Sequence, residues 1–359
     1  MEKFAFIIHP LDIKDVSKKI PLVNKLPDRF VERLLPIIPP FNAAHVTGIR
    51  SALAEAEGWF IAVPLTSLQM MTLPQEYVLD KIIQAGKIAE KLGAKILGLG
   101  AFSSIVGDAG ITIAKHLSIP VTTGNSYTVY TAVEGVKKAA GAMGINISEA
   151  EVVVIGATGS IGSICAQLLA SDVKQLTLVG RDLHTLRLLA NRIMFNTGLA
   201  VRTSNNVKKS LKQADVVLTV TSALDTIVEP EDLKPGAVVC DVSRPRNVSK
   251  QVAEQRNDVL VIEGGLVEAP GAVEYNMKFG APEGQCFACM AETMILALEQ
   301  RYESYTLGRE LSIEQVENIG KLGQKHGFGL SGFRSFSQHL SESDIRNIRE
   351  RVRASAALV

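Results

Sequence analysis

The chain has 359 residues, 47% of them hydrophobic and 21% charged, with 38 Lys plus Arg against 37 Asp plus Glu for a net charge of +1. This is an ordinary globular composition, long enough for two domains, and its balanced charge offers no footprint for bulk nucleic-acid binding. Four cysteines are too few for a disulfide framework, no apolar run reaches the length of a bilayer span, and MEKFAFIIHP is too short and interrupted for a signal peptide; a reducing cytoplasm is the expected setting.

Along the chain, KFAFIIHP (3–10), WFIAVPL (59–65), AKILGLG (94–100) and IPVTTG (119–124) have strand character. Helical patterns over about 76–93, 108–117 and 127–143 separate the later ones. This alternation predicts an α/β domain with a parallel sheet over residues 1–145. Residues 11–58 carry most of the early prolines and no clear period. A second α/β unit, 146–283, opens with EVVVI (151–155) and continues with QLTLVG, VVLTVTS, AVVCDVS and VLVIEGG, all buried-type strands. A helical run covers about 284–304, and helices are expected near 312–326 and 341–357, so 284–359 reads as a C-terminal helical segment. In the last helix Ile345, Ile348 and Val352 form an apolar stripe, with Arg346, Arg349, Arg351 and Arg353 on the remaining surface.

IGATGSIGS directly follows EVVVI and opens a helix. Gly156, Gly159 and Gly162 sit three apart, a variant of the dinucleotide fingerprint: a tight turn, a close backbone approach to pyrophosphate, and a helix N-terminus that offers N–H groups to an anion. Thr158 and Ser160 add hydroxyls, and Ile161 lies within the same turn. The next strand leads into Arg181. Arginine at that tip suits a 2′-phosphate, where an acidic residue would bind a ribose 2′-hydroxyl, so NADPH is the expected cofactor, with Asp182 next door as the contrary signal.

CFACMAETM (286–294) holds two cysteines three apart. No second Cys or His pair has zinc-ligand spacing. Read as a helix over 285–300, the segment is apolar on two faces, as a helix packed between two domains would be, and Cys289 lies nearly opposite the stripe of Phe287, Ala291, Met294 and Leu298. From the residues alone, buried cysteines acting as small hydrophobes and a nucleophile are both open.

Taken together, LGAFSSIV (99–106), TTGNSYTVY (122–130), GATGSIGS (156–163), IEGGLVE (262–268), QCFACMAETM (285–294) and KHGF (325–328) resemble the cyanobacterial-type long-chain acyl-[acyl-carrier-protein] reductases. The likeness covers about residues 90–328 in the same order, with shikimate dehydrogenase and glutamyl-tRNA reductase folds as looser relatives. It implies a two-domain α/β fold: an N-terminal α/β substrate domain, a Rossmann dinucleotide domain, and C-terminal helices that pack on or between them and complete the active-site cleft. It also implies NADPH-dependent reduction of an acyl thioester, from acyl carrier protein or coenzyme A, to a fatty aldehyde. The family's acylated cysteine falls on Cys289. Ser104, Asn125 and Gln285 are then candidate polar partners, with Ser103, Thr123 and Tyr130 beside them. The departures are Cys286 at a place where an apolar residue is expected, a weaker match over the first 90 residues, and some 30 residues beyond KHGF. The competing readings are a shikimate-type NADP-dependent dehydrogenase of a polar alcohol, for which no clear Lys…Asp site is seen, and a non-catalytic NADP sensor.

Overall fold

The computed structural model describes residues 1–19, 25–223 and 225–356. The chain forms two compact units: Met1–Tyr127 with Val267–Glu310 and Glu317–Gly329, and Thr128–Leu266 with Leu311–Val316 and Leu330–Val359. The division differs from the expected one. The first boundary falls at residue 127 instead of 145, inside the helix Asn125–Met143. Residues 284–359 are not a separate segment, because their parts pack into one unit or the other. Periodicity reports which face of an element is apolar, not which core that face joins.

The first unit holds a five-stranded sheet in the order Phe41–Arg50, Glu55–Ala62, Glu2–Ile8, Leu97–Gly98, Val121–Thr122. All neighbours are parallel except the edge pair Phe41–Arg50 and Glu55–Ala62. Phe4 to Ile7 are completely buried or nearly so in the central strand. The helix Gln75–Lys91 covers the sheet with Val78, Ile82, Ala85 and Ala89, one face of a helix at three-to-four-residue spacing. The edge strand was not legible in the sequence. Most of its residues are exposed or half-buried, and its register slips twice, so alternation is lost.

The second unit holds a six-stranded parallel sheet in the order Leu260–Glu263, Val238–Asp241, Val216–Thr219, Glu151–Ile155, Gln175–Val179, Arg202–Ser204. In order of appearance this is 6-5-4-1-2-3, the doubly wound dinucleotide-binding topology. Val152 and Val154 enter the core on one face, with Ala132, Val136 and Cys165, while Val153 and Ile155 enter that on the other, with Val217 and Val239. Burial on both faces is why these strands read as continuous apolar runs. The C-terminal helix Glu342–Ala356 is capped by Ser341, whose hydroxyl accepts from Asp344 N at 3.2 Å while Asp344 Oδ2 accepts from Ser341 N at 2.8 Å. Its Ile345 is buried, and Arg349 reaches the Ala142 carbonyl at 3.4 Å.

In the first unit, KHGF closes a buried junction. His326 is 2% exposed, with Nε2 at 2.8 Å from Glu299 Oε2 and Nδ1 at 3.1 Å from Ser51 Oγ. Lys325 Nζ meets both Glu299 oxygens, at 2.7 and 2.8 Å. Burial raises the Glu299 pKa, but the hydrogen bonds from Lys325 and His326 outweigh it and hold the carboxyl below its ordinary value of 4.5. A lowered carboxylate contributes stability above its unfolded pKa and loses it as pH falls through the folded one. The Glu299→Gln variant should therefore be less stable than wild type by about 1.5–3 kcal/mol in urea at neutral pH. The gap should close as the pH is taken below 4.5; a gap that stays constant with pH would show that packing, and not the charge, is what the substitution removes.

Candidate functional site

The glycine loop lies at the C-terminal end of the first strand of the six-stranded sheet, where the strand order reverses. Gly156 has φ +84, and a Cβ there would meet Val220 O at 2.7 Å. A Cβ on Gly162 would meet Gly156 O at 2.3 Å. Glycines at both places let the loop turn and the helix Ser160–Leu169 pack tightly behind it. Gly159 is the residue that precedes the helix, Ser160 its first residue, and Thr158 stands exposed over Gly180 at the tip of the second strand. Ile161 differs from the rest: its side chain packs on the core, so only its backbone belongs to the loop. The loop thus presents exposed small residues and the first turn of a ten-residue helix, the donor set that a pyrophosphate requires. Sequence reading missed the segment beside it. Val220–Thr221 runs against Gly156, and Ser243 Oγ accepts from Thr221 N at 3.1 Å.

Arg181 is exposed just past the strand Gln175–Val179. Its neighbour Asp182 caps the helix Leu183–Thr197, with Oδ1 accepting from His184 N at 2.9 Å and Thr185 N at 3.3 Å and Oδ2 from Thr185 Oγ1 at 2.5 Å. The Thr185 hydroxyl and backbone hold this carboxyl below the usual range. An acid engaged in its own helix cap is not presented to a ribose hydroxyl. With a Rossmann sheet, a glycine loop that a Cβ would obstruct, and arginine at the second strand tip, the second unit is an NADP(H)-binding domain.

In the first unit the cysteine segment divides. Gln285–Phe287 is a strand, and the helix begins only at Ala288, running to Leu298. Cys286 is fully buried, and burial, offset in part by Tyr275, pushes its thiol up to about 12. Cys165 and Cys240 are buried and shifted strongly upward for the same reason. Cys289 is half-buried, at the second position of the helix. A helix N-terminus favours a thiolate over a thiol. Above it passes the TTGNS turn: Gly124 has φ +75, and a Cβ there would lie 2.4 Å from both Cα and Cβ of Cys289. Asn125, 9% exposed, follows as the first residue of the helix Asn125–Met143. Gln285, four residues before Cys289, holds a buried Oε1 with no hydrogen-bond partner.

The other sequence candidates serve local structure. Ser104 donates to the Ala101 carbonyl at 2.7 Å and Ser103 to the Gly100 carbonyl at 2.8 Å, each within its own short turn. Thr123 donates to Thr306 Oγ1 at 3.1 Å. Tyr130 belongs to the second unit and packs on its core. His9, just past the strand Glu2–Ile8, is likewise engaged locally, with Nδ1 at 2.9 Å from the Pro10 carbonyl and its other ring nitrogen accepting from Phe102 N at 3.1 Å; burial lowers its pKa to about 4. The residue that sequence reading overlooked is Glu292, fully buried on the Cys289 helix. The signal was present: one carboxylate inside ACMAETMILAL. Among the described residues no group of three or more His, Cys, Asp or Glu could hold a metal, and no helix is long and apolar enough to cross a membrane.

Iodoacetamide at about pH 8 should modify Cys289 alone in the folded protein, because only a thiolate that solvent reaches reacts. Peptide mass mapping would read this, and label on Cys286 before unfolding would contradict the full burial of that thiol. Arg181→Ala should weaken NADPH by roughly 1.5–3 kcal/mol and NADH far less, through loss of a charge-assisted contact. Titration calorimetry with both cofactors decides; equal losses would show that Arg181 does not read the phosphate.

A family model for shikimate / quinate 5-dehydrogenase matches residues 137–263, which lie inside the second unit. Aminotransferase PigE of a Serratia species is 29% identical over 97% of this chain, but the chain spans only 42% of that protein. Among solved structures, quinate dehydrogenase from Corynebacterium glutamicum in complex with NAD aligns over 72% of this chain and 88% of that one, at 14% identity and a TM-score of 0.37, too slight a likeness to argue from. The long-chain acyl-[acyl-carrier-protein] reductase of Synechococcus elongatus is 32% identical over 69% of this chain and 75% of its own length. On that likeness the chain belongs to the family of the Synechococcus reductase.

Proposed function

We propose that the protein is an NADPH-dependent reductase of fatty acyl thioesters, taking an acyl group from acyl carrier protein or coenzyme A onto Cys289 and releasing a fatty aldehyde. The observation that supports this most is the setting of Cys289: a half-buried thiol in the first turn of a helix, under a turn whose Gly124 leaves no room for a side chain, while the other three cysteines are buried. The thiolate attacks the thioester carbonyl carbon. A C–S bond forms to Cys289, the C–S bond to the carrier breaks, and the proton given up by Cys289 passes in net to the departing carrier thiolate. Negative charge that develops on the carbonyl oxygen requires fixed donors. The side-chain amide N–H groups of Asn125, next to Gly124, and of Gln285 are the proposed donors; the Ser104 hydroxyl donates within its own turn. The glycine loop and Arg181 would hold NADPH, which when bound would supply the hydride. The Cys289 sulfur then leaves the reduced carbon as the aldehyde carbonyl forms, which regenerates the thiolate. A reducing compartment such as the cytoplasm belongs to this reading, because the nucleophile must stay a thiol.

The shikimate / quinate model matches only residues 137–263, within the nucleotide unit, and so lends no support to a polar-alcohol site in the first unit. The aminotransferase activity in the name of the Serratia relative is not carried over, because the chain spans less than half of that protein.

Incubated with long-chain acyl thioester and no NADPH, wild type should gain one acyl mass on the peptide that holds Cys289. Adding NADPH should convert the adduct to aldehyde. Cys289→Ser should lose both events and bind NADPH as wild type does. An adduct on Cys286, or aldehyde formation by Cys289→Ser, would reject the assignment. Running acyl carrier protein and coenzyme A donors of several chain lengths in parallel names the donor.

A further inference from the structure

We infer that Glu292 is a positioning residue for Cys289, a buried staple that presses the 122–127 segment onto the nucleophile's backbone; the inference rests on the acyl-cysteine reading above. Glu292 lies three residues after Cys289 in the same helix and is 0% exposed. Its Oε1 accepts from Thr122 Oγ1 at 2.5 Å and from Thr306 Oγ1 at 2.8 Å. Its Oε2 accepts from Ser126 Oγ at 2.6 Å and from Tyr127 N at 2.8 Å. All of these groups belong to the first unit.

A carboxylate taken out of water is costly unless its lone pairs are met. Four donors meet them here. An apolar side chain could fill the same place without that cost, so the carboxylate calls for an explanation other than packing. The donors supply one. Thr122 lies on one side of Gly124 in the chain, with Ser126 and Tyr127 on the other. Gly124 itself is the residue whose backbone rides on Cys289. Anchoring the turn on both sides of its point of contact fixes the height of the turn above the nucleophile. Thr306 ties in a third segment, because Thr123 N also donates to the Thr306 carbonyl at 3.0 Å. The Tyr127 N–H belongs to the first turn of the helix that begins at Asn125, the end of a helix that favours negative charge.

The substitutions separate positioning from bulk. Glu292→Gln can keep its oxygen toward Ser126 and Tyr127 and turn its amide N–H groups to the Thr122 and Thr306 hydroxyls, which can accept instead of donate. Glu292→Leu offers nothing to any of the four. Single-turnover acylation of Cys289 by acyl thioester should therefore slow by at least about tenfold in Glu292→Leu and recover most of its rate in Glu292→Gln, because small misplacements at a reacting centre cost large factors in rate. NADPH affinity should not change in either variant. Maleimide labelling of Cys289 should speed up in Glu292→Leu as the turn lifts, while Cys286, three residues earlier, stays protected.

Should Glu292→Leu fail to fold, Thr122→Val and Ser126→Ala each remove one donor with little change in volume, and both should move the two rates in the same directions. Wild-type acylation in the folded variants would overturn the inference. So would labelling of Cys286 in step with Cys289, which would reveal general loosening. If wild type itself takes no acyl group, the acyl-cysteine reading fails. The labelling pattern then still decides Glu292: an unchanged Cys289 rate in Glu292→Leu rejects the staple, and a faster one with Cys286 protected upholds it.

Discussion

A carboxylate without access to water has to be answered by donors, and in the first unit the answer organises everything around Cys289. The side chain of Glu292 gathers three hydroxyls and one backbone N–H from two separate stretches of chain. Those stretches are the turn at 122–127 and the segment at 306, both of which must reach the same point beside one helix. The glycine at 124 follows from this arrangement. With the turn held so close, even a methyl group would collide with the Cys289 backbone. A costly buried charge and an obligatory glycine are two sides of one constraint, the approach of a loop to a helix N-terminus.

The same constraint separates two cysteines that look equivalent on paper. Cys286 points from a strand into the interior, beside Tyr275, and burial makes its ionised form very unfavourable. Cys289 comes just after the strand has become a helix, in the turn where unpaired N–H groups collect. Three residues of chain carry one thiol from a fully buried strand to a half-buried helix N-terminus, the setting that the proposed mechanism requires of its nucleophile. The change of secondary structure at Ala288 brings this about, and the free thiols of the Rossmann core, Cys165 and Cys240, show the alternative outcome.

In the nucleotide unit a different economy of side chains prevails. Arg181 and Asp182 are adjacent, and either could face a ribose. The helix that follows removes the ambiguity, because its first N–H groups and the Thr185 hydroxyl occupy the carboxylate of Asp182 and leave the guanidinium exposed. On the proposed reading of Arg181, a helix cap thereby influences cofactor preference without touching the cofactor.

Much of the nucleotide half was legible in the sequence by itself. EVVVI, the glycines at 156, 159 and 162, and the succession of short apolar strands are local patterns, and the doubly wound sheet follows from local patterns repeated. The first unit was only partly legible. Its central strand and long helices carry their periods openly, but the edge strand Phe41–Arg50, half exposed and twice out of register, shows none. Which cysteine is buried, where the domain boundary falls, and what Glu292 holds were decided by tertiary structure alone. Each depends on residues that meet across long stretches of chain, Thr122 with Glu292 or Gly124 with Cys289. Spacing along the sequence describes neighbours on one element, whereas these contacts exist only once separate elements have packed.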